Sequence, residues 1–138
     1  MAYRLLDHTG DFALEITAAD RPGVYPEACR AFLDLVTDAP GTVREEQARD
    51  LEVEGLDPAD LLVALLNELI FLFEVEGLLV ARLELRSLDD AHLEATAHGE
   101  RFDPDRHPIA RPVKAATHHR VLLEEDAEGG RAFVVMDL

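Results

Sequence analysis

Leu61, Leu62, Leu65, Leu66, Leu69, Ile70, Leu72 and Phe73 put apolar side chains around most of a helix surface rather than along one stripe. A helix apolar on so many sides has to be buried between layers, so the rest of the chain must supply them. Its start is written in Asp57-Pro58-Ala59-Asp60. Asp57 is the N-cap, Pro58 takes the first helical position, where no N–H is needed, and Asp60 favours the positive end of the helix dipole. The helix runs out near residues 74–77. Asn67 and Glu68 interrupt its apolar run, which is too short and too polar to span a membrane.

The covering layers read mostly as strands. Residues 3–6 form a short first strand, and Phe12, Leu14 and Ile16 alternate with Ala13, Glu15 and Thr17 at the period of a half-buried second one. Asp20-Arg21-Pro22-Gly23 is turn chemistry, and Ala28, Phe32, Leu35 and Val36 mark one face of a helix over about residues 25–37, with Pro26 in its first turn. Alternation resumes at Leu51-Glu52-Val53-Glu54, which Gly55 closes. Residues 79–88 and 92–98 alternate around Asp89-Asp90 as an antiparallel hairpin. After a loop-like stretch over residues 101–111, residues 113–124 and 132–136 give two more strands across an acidic turn. Two helices and about seven strands, clustered toward the second half, make a compact α+β domain. The 138 residues suit one domain over residues 1–138.

Charge narrows the partners. There are 29 Asp and Glu against 13 Lys and Arg, a formal net charge of -16. Such a surface repels a phosphate backbone, so direct nucleic-acid binding is not expected, whereas cations or a basic protein partner suit it. The N-terminus has no basic-then-apolar signal pattern, which together with the missing membrane span gives a soluble, cytoplasmic expectation. Cys29, the single cysteine, lies on an apolar helix face and reads as a small buried residue.

Two places concentrate polar chemistry. Asp7-His8-Thr9-Gly10-Asp11 holds two carboxylates, an imidazole and a hydroxyl where a strand should begin. Oxygen ligands converging on one point are what a hard divalent cation needs, but the same residues also read as a turn with ordinary Asx chemistry. At the other end, the apolar strand Phe133-Val134-Val135-Met136 reads as central and runs straight into Asp137-Leu138. The Asp137 carboxylate and a terminal one on Leu138 would repel each other, and a cation between them and Asp11 would relieve that; a frayed acidic terminus is the plainer alternative. His118 and His119 are adjacent, so on a strand they face opposite sides and cannot share a metal without a bulge. No zinc-ligand spacing, phosphate loop or nucleophile with its base is present. Glu68, beside Asn67 in the buried helix, reads as bracing a loop or as an exposed edge.

Taken in order, the Leu6-Asp7-His8-Thr9-Gly10-Asp11 segment, Leu66-Asn67-Glu68-Leu69-Ile70-Phe71-Leu72-Phe73-Glu74, His107-Pro108 leading to Val113-Lys114-Ala115 and Thr117, and Val134-Val135-Met136-Asp137-Leu138 resemble the archease family across nearly the whole chain. Gly10 stands where that family usually has alanine, and His118 where an aromatic residue is commoner. The resemblance implies two helices with mixed sheets. It also implies a metal site in which Asp11 and Asp137 are ligand carboxylates, Leu138 adds a terminal oxygen and Asp7 lies close by. An all-oxygen set suits calcium, with magnesium or manganese as alternatives. The implied function is that of a non-enzymatic activator of an RtcB-type tRNA-splicing RNA ligase, which promotes guanylylation of the ligase histidine and multiple turnover. Two other readings stay open: a metal-dependent hydrolase using Asp7, His8 and Asp11 with His118 or His119, and a chaperone-like protein-interaction module.

Overall fold

The computed structural model describes residues 1–8 and 11–138, His8 by its backbone alone. Helix α2 (Pro58–Glu74) starts where its cap residues place it, with Asp57 Oδ1 accepting the Asp60 N–H at 2.8 Å. Leu61, Leu62, Leu65 and Leu66 are all fully buried. At about 2 kcal/mol per buried leucine, this burial outweighs the roughly 1 kcal/mol of a cap; packing rather than propensity holds the helix. The first helix, α1 (Arg21–Val36), starts four residues before the expected point. Asp20-Arg21-Pro22-Gly23 is no separate turn but a cap and first turn, because the Asp20 side chain accepts the Gly23 N–H at 2.9 Å. Pro26 therefore falls inside α1 rather than at its beginning.

Around the helices lie two sheets. The first contains β1 (Ala2–His8), β2 (Asp11–Ala18) and β8 (Gly129–Asp137) in that order, with β6 (Ala115–Ala116) and β7 (Leu122–Asp126) both paired to the far side of β8. The second has the order β3 (Gln47–Glu54), β5 (His92–Arg101), β4 (Leu78–Leu88). Both helices touch strands of both sheets, so α2 is covered on two sides as its composition requires.

Every pairing among the described residues is antiparallel, in place of the expected mixed sheets. The hairpins β1–β2, β4–β5 and β7–β8 impose that sense through their short connections, and β2–β8 and β3–β5 continue it. The expected single strand over residues 113–124 is two strands, which brings the total among the described residues to eight. Arg120 lies in the left-handed region at φ 56°, and the Val121 N–H returns to the His118 carbonyl at 3.2 Å, so the chain turns between β6 and β7. Strand β5 runs on to Arg101 because Gly99 lets it pass close to β4; a Cβ there would lie 1.9 Å from the Leu79 carbonyl oxygen. Cys29 is fully buried, and burial pushes its thiol up to about 12.

Candidate metal centre

The centre of the first sheet shows which way its side chains point. Leu14, Ile16, Val134 and Met136 belong to the common core, whereas the alternate residues Ala13 and Val135 lie outside that cluster although buried. Asp11 and Asp137 have the parity of Ala13 and Val135, and they are direct cross-strand partners in the β2–β8 ladder. Opposed residues of an antiparallel pair share a face with Cβ atoms about 5 Å apart. Both carboxylates therefore sit side by side at the end of the sheet, on the face turned away from the helices. Asp11 is half-buried and Asp137 exposed. Leu138 follows directly and packs its side chain against the core, which anchors the end of β8.

Asp7 is placed differently. Its partner is Phe12, and alternation turns it to the opposite face from Asp11 and Asp137, exposed on the edge strand. The backbone of His8 pairs with Asp11, while Thr9 and Gly10 lie outside the described residues.

Beyond Asp137 the wall of the site is β6. The Lys114 N–H donates to the Asp137 carbonyl at 2.8 Å, and the Thr117 N–H and hydroxyl both donate to the Val135 carbonyl, at 3.0 and 2.9 Å. The outward backbone groups of Ala116 meet Asn67 of α2: its amide Nδ2 donates to the Ala116 carbonyl at 3.2 Å, and its Oδ1 accepts the Ala116 N–H at 2.9 Å. Bracing therefore falls to Asn67, and Glu68 beside it is half-buried. His118 is engaged elsewhere, with Nε2 2.6 Å from Asp60 Oδ1 at the start of α2. Hydrogen bonds from His118 and from the Leu56 N–H hold the Asp60 carboxyl below its ordinary range.

The segment leading into β6 is tied to the molecule by a buried polar knot that periodicity did not reveal. Glu100 and His107 are 2% and 0% exposed. His107 Nδ1 accepts the Asp103 N–H at 2.8 Å, so it carries no proton, and Nε2, 2.6 Å from Glu100 Oε1, is the donor to that carboxylate. Arg106 pairs with the same oxygen. From the knot the chain passes the C-terminal end of α1, where Ala110 donates to Val36 and Arg111 to Leu35, at 2.7 and 3.0 Å. The Arg111 guanidinium also stacks 4.3 Å from the centroid of the Phe12 ring. The loop-like reading of residues 101–111, and His107-Pro108 within the family resemblance, gave no sign of this knot.

A second group of ligand-type atoms lies on the outer face of the other sheet. Glu52, Glu54 and His92 bring one ligand atom each within 4.8 Å of one another. Its imidazole is held by Glu52 at 2.7 Å, a hydrogen bond that raises the His92 pKa. Among the described residues no helix is long and apolar enough to cross a membrane.

The whole chain has relatives. The profile of the Archease protein family (MTH1598/TM1083) matches residues 3–138. Protein archease of Methanopyrus kandleri is 34% identical over 141 residues, which span 100% of both chains. The Protein archease-like of Drosophila melanogaster is 32% identical over 143 residues, covering 100% of this chain and 91% of its own. Among solved structures, Methanobacterium thermoautotrophicum protein 1598 superposes with a TM-score of 0.78 at 26% identity, over 99% of this chain and 98% of that one. A Thermotoga maritima protein described as an archease, possible chaperone, shares the fold with a TM-score of 0.64 at 17% identity, over 100% of this chain and 98% of its own. With its two helices, two sheets and a family match from residue 3 to residue 138, this chain belongs to the archease family.

Proposed function

We propose that the chain is a non-enzymatic assistant of an RtcB-type tRNA-splicing RNA ligase and that Asp11 and Asp137 hold a divalent cation, calcium by preference, with an oxygen of Leu138. The observation that carries this reading is the cross-strand pairing of Asp11 with Asp137 on an outward face. Two carboxylates and a main-chain oxygen are hard donors, the chemistry that calcium, magnesium or manganese accepts. Such a cation, when bound, supplies positive charge beside the nucleotide-handling site of a docked ligase. The chain's own part is to fix the carboxylates on rigid strands and to present them at a sheet end, while its net charge of -16 favours docking on a basic protein surface. Family membership supports the assistant role, and the words possible chaperone, used of the Thermotoga maritima protein, fit action on another protein. Asp7 joins this proposal only as a charge on the neighbouring edge strand.

The test is multiple-turnover ligation by a cognate ligase present in trace amount. Added protein is expected to raise the number of joined RNA molecules per ligase well above one, and the isolated protein is expected to join none. An unchanged count with the protein present would end the proposal.

A further inference from the structure

We propose that Asn67 is a positioning residue of the carboxylate site, fixing β6 and through it the flank of Asp137. This rests on the metal-site reading above for its link to affinity. The strand β6 is only two residues long and lies at the edge of its sheet. Such a strand leaves a row of unpaired backbone groups on its outer side. At Ala116 those groups are the N–H and the carbonyl, and the Asn67 carboxamide meets both, at 2.9 and 3.2 Å. A carboxamide carries the same donor and acceptor as a peptide group, so one side chain of α2 replaces the next strand of the sheet. The pattern also fixes the amide orientation, since only one assignment of Oδ1 and Nδ2 satisfies both partners.

The consequence reaches Asp137 in one step. The inner side of β6 pairs with β8, with Ala115 opposite Asp137 and the Lys114 N–H on the Asp137 carbonyl at 2.8 Å. Asp137 thus stands between β2, which brings Asp11, and β6, which Asn67 holds. Without that hold the last residues of β8 are paired on one side only, and strand ends held on one side fray. A frayed Asp137 must be reordered when it binds a cation, and affinity falls by that ordering cost.

Asn67→Ala separates this role from a merely structural one, because alanine favours helix more than asparagine and leaves α2 itself no weaker. In amide hydrogen exchange, Lys114 and Thr117, which donate to Asp137 and Val135, are expected to exchange at least about tenfold faster, while Leu14 and Val134 keep their protection. Calcium affinity, measured by titration of the full chain, is expected to fall about tenfold, the lower end of what outer-sphere support of a metal ligand is worth. Asn67→Leu, which keeps the bulk but not the amide, should behave as the alanine variant does. Unchanged protection at Lys114 and Thr117 overturns the proposal, and so does faster exchange there with unaltered calcium affinity. A wild type that binds no calcium overturns the metal reading instead, and the exchange pair then decides by itself whether Asn67 holds the Asp137 flank.

Discussion

Replacing Asp11 or Asp137 by alanine is expected to return multiple-turnover ligation to the level of the ligase alone, with the protein still folded. Either change removes one of two opposed carboxylates, and a cation that needs both loses its site. Stability gives an independent reading of the same event. Like charges directly opposite on a sheet face destabilise it by a few tenths to about 1 kcal/mol. Protein stripped of divalent ions is therefore expected to melt slightly higher as Asp137→Asn than as wild type. Calcium at a hundredfold excess over its dissociation constant stabilises the wild type by about 2.7 kcal/mol, so with calcium present the order reverses. Thermal melts with and without calcium check this crossing; variants that follow the wild type under both conditions would show that no ion joins the two groups.

The second large effect lies away from the carboxylate pair, at Glu100. Glu100→Ala leaves the His107 Nε2–H and the Arg106 guanidinium without their shared acceptor in a site where His107 is fully buried. Leaving the buried His107 donor without an acceptor costs about 2 kcal/mol. For a domain of this size that corresponds to a melting point lower by about 6 °C. Glu100→Gln keeps an acceptor for His107 and is expected to lose about half as much, and an alanine variant that melts with the wild type would contradict the account of the knot.

The same carboxylate sets an acid limit. Burial pushes the Glu100 carboxyl up, but hydrogen bonds from His107 and the Arg44 N–H, together with the Arg106 charge, outweigh it and hold the group below its ordinary 4.5. A group lowered in the folded state contributes stability that is complete above its unfolded value and is lost as pH falls through the folded one. Stability should thus decline from about pH 4.5 downward, and Glu100→Gln should flatten that decline.

Local pattern was enough for α2, because Asp57, Pro58 and an apolar surface of helical period act within the helix itself. It was enough for the central place of β8, since a run apolar on both parities needs cover on both faces. Where a local signal has two uses, the pattern misled: Asp20 caps α1 where it read as a turn, and the alternation of residues 113–124 hides the left-handed Arg120 that splits the strand. The relation of Asp11 to Asp137 is one of register between distant strands, which no short stretch encodes; charge relief by a shared cation and the resemblance to a family joined them, and neither gives their register. Asp7 shows the limit of proximity in sequence, because four residues from Asp11 and on the paired strand it falls on the other face. Asn67 and Glu100 were hidden for a shared reason: their partners, Ala116 and His107, are set by how elements pack rather than by spacing along the chain.

Calcium titration of protein freed of divalent ions tests the central claim most directly, with wild type beside Asp11→Ala and Asp137→Ala. One ion per wild-type chain is expected, with binding lost in both variants. Absence of binding in the wild type would contradict the account. So would equal binding by all three proteins, the outcome that Glu52, Glu54 and His92 would give if the ion sat on the other sheet.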